Sequence, residues 1–551
     1  MFPFHFCIFA FGLCLIFCNS ISNVFCDGSV CSEAPYPAEI FSSMAKMQEH
    51  LRETRVAMRK VLPGLKSKVQ EQKTRLETIK GYVKHLSELS GEEIRQPNFT
   101  VHHPLNAYRF IRNHSIIHNE TATKLVSEIK LYEKEKVEIL KMLNELPKLA
   151  DTDYEGAIHG ITTLQSIYDL KTSDIANGKI RNYTSGIILT AIECLDIAMY
   201  CFLNNKPYQG HAWLTQAAGK CLAEGNITTT VTRINIVAAK AASLVNQPEA
   251  AVFYYNEVVK IRDSRYHRLK LKEYLTETDG TAITDLPQDY TKPAVMNREQ
   301  LLHSELCKGH QVNHLLTLPK PWRPLECRLE TRDHPLLLLQ PIKMEEKSLD
   351  PYIVVVHDII TPIESDRVSR TASPRLQRSA VGIGKSIVHK MRTSQHIFLD
   401  RQEYVKNTTF IKRVEAFTGL NSRSYEQYQI GNYGVGGEYY LHHDYFPNTN
   451  VSSEDSFTSD QRIATFMVYL SDVQAGGATV FPNAGISLFP NKGSAVFWYN
   501  LFNNGTEHPD TLHAACPVLL GSKWVGNLWI RRHGQEFTKP CDLDRYHSDW
   551  S

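Results

Sequence analysis

The apolar pattern of this 551-residue sequence changes near residue 350. Before that point, apolar residues recur every three or four positions, which is typical of amphipathic helices. After it, short runs such as "YIVVVHDII", "RIATFMVYLSDV" and "SAVFWYNLF" alternate with Gly, Asn and Pro. The change predicts a multidomain chain with an α-helical N-terminal half and an all-β sandwich or barrel behind it. A chain this long also exceeds one ordinary core, so about two to four domains are expected.

Residues 36–147 have the pattern of long helices that need a partner. From residue 36 to about 90, apolar residues follow a nearly four-three spacing with Lys, Glu and Arg between them, and Pro63-Gly64 predicts a kink or a break. A long amphipathic helix has no core of its own. The segment from residue 36 to about 90 therefore either folds back on residues 120–147 or forms a coiled-coil dimerisation region with a second subunit.

Residues 150–262 contain shorter helical runs with small residues at close-packing positions, such as "AIECLDIAMYCFL" and "AWLTQAAGKCLAEG". Paired helices at a spacing of roughly 34 residues are typical of tetratricopeptide-like repeats, which bind extended peptides. A helical core without repeats is the alternative. Cys194 and Cys201 are expected to share a buried helix face. Residues 263–300 are charged and poor in apolar clusters, so we expect a linker that continues as a connection to residue 345.

The first 20 residues, "MFPFHFCIFAFGLCLIFCNS", are apolar and precede small and polar residues, which predicts a cleaved signal peptide. An uncleaved anchor is the alternative, and no later segment is apolar enough to suggest a membrane span. The formal net charge of +2 gives no electrostatic reason to expect a nucleic-acid partner. Sequons for N-glycosylation also favour a secretory route; they are Asn98, Asn113, Asn119, Asn182, Asn226, Asn407, Asn450 and Asn504.

The stretch "EYYLHHDYF" suggests a metal site. If it is a strand, His442 and Asp444 point to one face and His443 points to the other. A third ligand must come from another strand, and His513 in "TLHAACPV" is the candidate. Two histidines and one carboxylate are typical of non-haem Fe(II) oxygenases. Zinc hydrolysis is the competing hypothesis, although the sequence has no HExxH motif.

Lys523 in "GSKWVGNLW" favours the oxygenase. The lysine stands in an apolar strand pattern, and a buried ammonium group needs an anionic partner. A dicarboxylate co-substrate would supply that partner while its 2-oxo-acid end binds the metal. A surface lysine with its head group in water is the alternative.

Several longer motifs resemble the α subunit of animal prolyl 4-hydroxylase: "YQIGNYGVGGEYYLHHDYF", "RIATFMVYLSDVQAGGATVFP", "KGSAVFWYNLF" and "HAACPVLLGSKWVGNLWIRRHGQEFTKPC". The resemblance runs through the whole mature chain. It implies an iron(II)- and 2-oxoglutarate-dependent dioxygenase on a double-stranded β-helix (jelly-roll) core over residues 346–541. The implied reaction converts proline in X-Pro-Gly, collagen-like peptides to 4-hydroxyproline and releases succinate and CO2.

The resemblance also assigns site residues. His442, Asp444 and His513 match the iron ligands, and Lys523 matches the residue that binds the distal 2-oxoglutarate carboxylate. The resemblance further implies residues of the co-substrate pocket, residues of the peptide groove and two disulfides. Tyr433 and Thr479 line the co-substrate pocket, Tyr168 and Tyr208 match tyrosines of the peptide groove, and the disulfides pair Cys307 with Cys327 and Cys516 with Cys541.

The family further implies partners and a compartment. Its members form α2β2 tetramers with protein disulfide isomerase as the β subunit, use ascorbate, and work in the lumen of the endoplasmic reticulum. Fewer aromatic residues stand in the predicted peptide groove than in the family. Other hypotheses therefore stay open: a hydroxylase of another proline-rich secreted protein, a binding or assembly subunit without catalysis, or an anchored coiled-coil protein.

Overall fold

The structure is a computed structural model, and all of its described residues belong to one unit, Pro37–Ser551. They are residues 50–61, 103–112, 115, 151–224, 227–244, 248–276, 297–316, 323–379, 392–400, 403, 409–446 and 460–543. The predicted signal peptide and most of the predicted dimerisation region lie outside them. Within that region, residues 50–61 and 104–112 are helical. No helix of the described part has the length and apolar character that a bilayer crossing requires.

Helices dominate the described residues up to Cys307. They are α1 (Asp151–Tyr168), α2 (Thr172–Ala176), α3 (Ala191–Leu203), α4 (Pro207–Ala223), α5 (Ile227–Leu244), α6 (Pro248–Ile261), α7 (Arg265–Thr276) and α8 (Arg298–Cys307). A short hairpin of β1 (Lys179–Ile180) and β2 (Tyr183–Thr184) stands between α2 and α3. Thr190 and Glu193 form a reciprocal capping box that starts α3.

Neighbouring helices pack in sequence order, α3 on α4 and α5 on α6. The predicted helical character is confirmed for the described residues, and Cys194 and Cys201 are both buried. The predicted linker is wrong at its start, because α7 occupies Arg265–Thr276. Tyr274 of α7 lies against Tyr255 of α6, with ring centroids 5.3 Å apart. Helix α7 packs against α6 on one side, and its other side is charged. Its low content of apolar residues is the reason that the sequence predicted a linker.

Strands dominate from Cys327 onward. They are β3 (Cys327–Glu330), β4 (Ile342–Leu349), β5 (Tyr352–His357), β6 (Gln377–Arg378), β7 (Gln395–Leu399), β8 (Tyr428–Tyr433), β9 (Tyr439–His442), β10 (Arg462–Tyr469), β11 (Ala475–Gly476), β12 (Thr479–Phe481), β13 (Ile486–Leu488), β14 (Ala495–Tyr499), β15 (His513–Ala515), β16 (Val518–Leu520) and β17 (Lys523–Arg531). The helices α9 (Pro335–Leu339), α10 (Pro362–Ala372) and α11 (Phe410–Thr418) stand between them. The prediction of a β-rich C-terminal part is confirmed.

A nine-stranded sheet has the order β3-β4-β5-β14-β10-β17-β8-β7-β6, and a four-stranded sheet has the order β13-β12-β15-β9. A buried cluster joins the two sheets, and within it Phe481 of β12 meets Trp498 of β14 at a centroid distance of 5.3 Å. On the opposite face of the large sheet, Phe466 of β10 packs against Phe417 of α11 at 6.3 Å. The large sheet is therefore covered on both faces, and the face toward the small sheet holds the site described below.

The disulfide pairing predicted from the family is wrong in this structure. Cys307 at the end of α8 is bonded to Cys516 between β15 and β16, with their Cα atoms 5.6 Å apart. Cys327 and Cys541 are exposed, and neither is bonded to another cysteine of the described residues. The reason is packing, because α8 lies against β12 and β13 and brings Cys307 beside the neighbouring strand β15. A cross-link between distant parts of the chain cannot be read from cysteine spacing.

Replacing Cys516 by serine is expected to lower the free energy of unfolding by about 2–5 kcal/mol, as the loss of a native disulfide usually does. The bond joins residues separated by 209 positions, so its loss frees a long loop in the unfolded chain. Denaturant titration measures the change, and Cys541→Ser is the matched control with no expected loss. A Cys307–Cys327 peptide in a non-reducing digest would contradict the pairing described here.

Candidate metal centre

Three of the side chains singled out in the sequence converge on one point. His442 is the last residue of β9, and it is paired directly with His513, the first residue of β15. Asp444 follows β9 by two residues. One ligand atom from each of the three side chains lies within 4.8 Å of the other two. The Nε2 atoms of His442 and His513 are 3.9 and 3.8 Å from the two carboxylate oxygens of Asp444.

Hydrogen bonds set the tautomer of both imidazoles. The Nδ1 atom of His442 is 2.8 Å from the carbonyl oxygen of Tyr440, and that of His513 is 2.9 Å from the carbonyl of Thr511. A carbonyl oxygen only accepts, so each Nδ1 must carry the proton and donate it. Each Nε2 atom therefore directs a free lone pair toward Asp444, which is the state a metal-binding imidazole requires.

Burial and the neighbouring charges favour neutral imidazoles and an ionised carboxylate in this cluster. Burial lowers the pKa of His442 well below its usual value, and the neighbouring His513 lowers it further. Burial likewise lowers the pKa of His513. Burial raises the pKa of Asp444, but His513, His442 and Arg462 outweigh that effect and hold its pKa below the usual value. At neutral pH the cluster thus consists of two neutral imidazoles and one carboxylate.

Residues of the large sheet orient Asp444. The hydroxyl of Thr465 on β10 donates to Oδ2 of Asp444 at 2.8 Å, and the amide of Asn500 donates to the Thr465 hydroxyl at 3.0 Å. These two hydrogen bonds orient the carboxylate through Oδ2. They leave Oδ1 of Asp444 available to a metal on the side of His442. Two imidazole nitrogens and one oriented carboxylate oxygen are a donor set that fits Fe(II), with positions left for other ligands.

The strand predicted through "LHHD" is shorter than expected. Strand β9 ends at His442, so alternation does not extend to Asp444. Asp444 instead comes back toward His442 because the backbone bends after the strand. His443 is turned elsewhere, with its Nε2 atom 3.0 Å from the carbonyl oxygen of Pro509 and its ring against Tyr445. His443 is therefore not part of the cluster.

Lys523 is a buried lysine, so the alternative of a surface side chain is excluded. Its side chain is 1 % exposed, and its ammonium group donates to the hydroxyl of Thr479 at 3.1 Å. The nitrogen lies 5.8 Å from the ring centroid of Tyr433 and 5.6 Å from that of Tyr469. No carboxylate among the described residues forms an ion pair with it. Burial lowers the pKa of Lys523 to about 7, so this site would gain from an anionic ligand.

The pocket residues proposed with Lys523 lie beside it. Tyr433 is its direct neighbour across strands β8 and β17. Thr479 on β12 receives hydrogen bonds from Lys523 and, at 2.9 Å, from the hydroxyl of Tyr469. Tyr469 was not predicted, although alternation along "RIATFMVYL" places it on the same face as Thr465.

Other side chains near the cluster were also missed. The ring of Tyr439 stacks on His442 with centroids 3.6 Å apart, and the guanidinium of Arg392 lies 4.6 Å from the Tyr439 centroid. The guanidinium of Arg462 lies 3.8 Å from the ring of Trp529. Trp529 follows Lys523 by six positions on β17, so strand alternation places both side chains on the same face. This pattern could have identified Trp529 from the sequence. Arg392 lies near the site because its backbone forms an isolated β-bridge with Tyr439. No local sequence pattern indicates this pairing.

The two tyrosines predicted for a peptide groove differ in solvent exposure. Tyr208 on α4 is 49 % exposed, so its ring is open to a ligand. Tyr168 at the end of α1 is only 3 % exposed, and its hydroxyl donates to the carbonyl oxygen of Pro517 next to Cys516. The assignment of Tyr168 to the peptide groove stays a prediction, and in this structure the residue joins the helical part to the β-rich part.

Comparisons with known proteins agree with these features. Residues 44–182 match the model of the prolyl 4-hydroxylase α-subunit N-terminal region, and residues 428–531 match the 2OG-Fe(II) oxygenase superfamily. Prolyl 4-hydroxylase subunit alpha-1 of Homo sapiens is 30 % identical over 503 residues, which cover 88 % of this chain and 92 % of that relative. The subunit alpha-1 of Caenorhabditis elegans is 30 % identical over 531 residues, with coverages of 92 % and 91 %.

A solved structure is also similar in part. It is the 2OG complex of the viral collagen prolyl hydroxylase from Paramecium bursaria Chlorella virus-1, at 26 % identity and a TM-score of 0.27. The match covers 32 % of this chain and 95 % of the viral one.

Proposed function

The chain belongs to the family of prolyl 4-hydroxylase α subunits, and we propose that it hydroxylates proline at C4 in X-Pro-Gly sequences of collagen-like peptides. The reaction uses 2-oxoglutarate and O2 and releases succinate and CO2. The observation that carries the proposal is the convergence of His442, Asp444 and His513 near a buried Lys523 that has no anionic partner among the described residues.

In the proposed site, His442, Asp444 and His513 hold Fe(II) through Nε2, a carboxylate oxygen and Nε2. The bound metal supplies the O2 chemistry that couples the decarboxylation of 2-oxoglutarate to insertion of one oxygen atom into the C4–H bond of proline. Thr465 and the carbonyl groups of Tyr440 and Thr511 keep the three ligands oriented. Ascorbate is proposed as the reductant that maintains the iron in the ferrous state.

Lys523 anchors 2-oxoglutarate in this proposal. Its protonated ammonium group binds the carboxylate far from the oxo group, and the ion pair forms in a buried pocket where water does not screen it. Thr479 and Tyr433 line the same pocket. Anchoring of the distal carboxylate leaves the 2-oxo-acid end directed toward the three ligand side chains.

The architecture proposed for the two halves follows the family. Residues 346–541 form the dioxygenase domain on a double-stranded β-helix core, supported by the two facing sheets. Residues 150–262 form a tetratricopeptide-like domain for the peptide, in which Tyr208 offers an exposed ring for a polyproline II segment. Residues 36–147 form the dimerisation region.

We further propose assembly with protein disulfide isomerase in an α2β2 tetramer in the lumen of the endoplasmic reticulum. The apolar N-terminal stretch and the sequons support the secretory route. Protein disulfide isomerase would then retain the assembled tetramer in the lumen.

The first experiment co-expresses the chain with protein disulfide isomerase and supplies Fe(II), ascorbate, 2-oxoglutarate and O2. We expect succinate formation that depends on (Pro-Pro-Gly)n, and 4-hydroxyproline in the recovered peptide. A panel of other proline-rich peptides identifies a different substrate if (Pro-Pro-Gly)n is inert. Intact 2-oxoglutarate binding without turnover on any peptide would favour a binding or assembly subunit and contradict the hydroxylase proposal.

A further inference from the structure

The indole N–H of Trp498 is a buried donor without an acceptor among the described residues. Trp498 is 1 % exposed, and its Nε1 atom has no hydrogen-bond partner in the described part of the chain. An indole N–H can only donate, and buried indoles normally find an acceptor. Trp213 in the helical part follows that rule, since its N–H donates to the side-chain oxygen of Gln165 at 2.9 Å.

Strand pairing places Trp498 on the face that carries the metal centre. Trp498 of β14 is directly opposite Thr465 of β10, whose hydroxyl donates to Asp444. Directly opposed residues in an antiparallel pair project from the same face. Thr465 is also opposite Trp529 of β17, and alternation along β17 places Lys523 on the same face as Trp529. One face of the sheet therefore presents Trp498, Thr465 and Lys523 to the small sheet.

Ring contacts bring Trp498 next to a metal-ligand candidate. Its ring centroid lies 4.9 Å from that of His513 and 5.3 Å from that of Phe481. Lys523 reaches the same small sheet, because its ammonium group donates to Thr479, which is paired with Ala515 two positions after His513. Among the described residues, the Trp498 N–H thus has no acceptor and the Lys523 ammonium has no anionic partner, and both side chains face the small sheet that carries His513.

We propose that Trp498 is a further binding residue of the site, and that its indole N–H donates to the carboxylate of 2-oxoglutarate next to the oxo group. This inference rests on the proposed function. The distal carboxylate is assigned to Lys523, so the carboxylate at the other end is the acceptor available to Trp498. A hydrogen bond to an ionised carboxylate is stronger than one to a neutral group, and its loss should weaken binding about tenfold.

The test uses Trp498→Phe in the full chain co-expressed with protein disulfide isomerase. Phenylalanine keeps an aromatic ring against His513 and Phe481 and removes the N–H. The protein is loaded with Zn(II), which has no redox chemistry, so binding is measured without turnover. Calorimetric titration with 2-oxoglutarate should show about tenfold weaker binding by the variant. Trp524→Phe is the matched control, because Trp524 is on the opposite face of β17 and should bind 2-oxoglutarate like the unchanged protein.

A second ligand decides which carboxylate is involved. 2-Oxobutyrate has the 2-oxo-acid end and lacks the distal carboxylate, so Trp498→Phe should weaken its binding by the same factor. An effect on 2-oxoglutarate alone would assign the N–H to the distal carboxylate and overturn the proposal. Equal affinities of the variant and the unchanged protein would overturn it as well.

A spectroscopic signal separates a hydrogen bond from a packing effect. In protein with 15N-labelled tryptophan, the indole resonance that is missing in Trp498→Phe identifies Trp498. We expect this resonance to move when 2-oxoglutarate is added to the zinc-loaded protein, and an unmoved resonance contradicts the proposal. Failure of the unchanged protein to bind 2-oxoglutarate would refute the proposed function itself, which is a different result from equal binding by both proteins.

Discussion

Replacing Asp444 by alanine is expected to abolish both metal binding and hydroxylation. Asp444 is the one anionic group of the cluster, and without it two neutral imidazoles remain for a divalent cation. Loss of an outer hydrogen-bond partner of a metal ligand typically costs 10–100-fold in affinity or activity, so loss of the ligand itself should cost more than about 100-fold. Metal content after dialysis and peptide-dependent succinate formation measure the two effects.

His443→Ala is the matched control for this substitution. His443 precedes Asp444 in the sequence, but its ring contacts Tyr445 and the carbonyl of Pro509 instead of the cluster. The His443→Ala variant should therefore bind metal and turn over within a few fold of the unchanged protein. If Asp444→Ala keeps its metal and its activity, or if His443→Ala loses both, the proposed ligand set is wrong.

Replacing Lys523 by methionine is expected to weaken 2-oxoglutarate binding by about 100-fold or more, because the loss of one partner leaves a buried carboxylate unpaired. Methionine keeps much of the length of the lysine and removes its charge. The free protein should be as stable as before or more stable, since Lys523 has no ion-pair partner among the described residues and a buried ammonium is costly. Thermal unfolding and calorimetric titration with 2-oxoglutarate therefore move in different directions.

The pH dependence of binding provides a second readout for Lys523. Burial lowers the pKa of Lys523 to about 7, so the ammonium is present below pH 7 and is lost from the free protein above it. A bound carboxylate favours the charged form, so binding above pH 7 must take up a proton. Affinity should then fall by about tenfold per pH unit above 7 until the pKa of the complex is reached. The methionine variant should lack this dependence.

Lys492→Ala is the matched control, since Lys492 pairs with Asp366 and is partly exposed. It should leave 2-oxoglutarate binding unchanged. A Lys523→Met variant that binds 2-oxoglutarate normally would remove Lys523 from the co-substrate site.

The short motifs were sufficient to single out the three side chains that converge and the lysine that is buried. Histidine, aspartate and lysine are rare in apolar strand patterns, so His442, Asp444, His513 and Lys523 could be selected from residue type and spacing. Their convergence could be predicted only in outline. Strand alternation pairs His442 with Asp444 only if the strand continues through Asp444, whereas β9 ends at His442 and the bend after it brings the carboxylate back.

Sequence alone determined that the chain is helical first and β-rich later, because the spacing of apolar residues reports local geometry directly. It also determined the family, since the motifs around His442 and Lys523 are specific. Tertiary structure decided the contacts between distant segments: the Cys307–Cys516 bond, the burial of Tyr168 against Pro517, and the position of Trp498 opposite Thr465. These contacts depend on the order of strands in the two sheets and on the docking of α8, which are set by the packing of the whole chain and leave no periodic trace in the sequence.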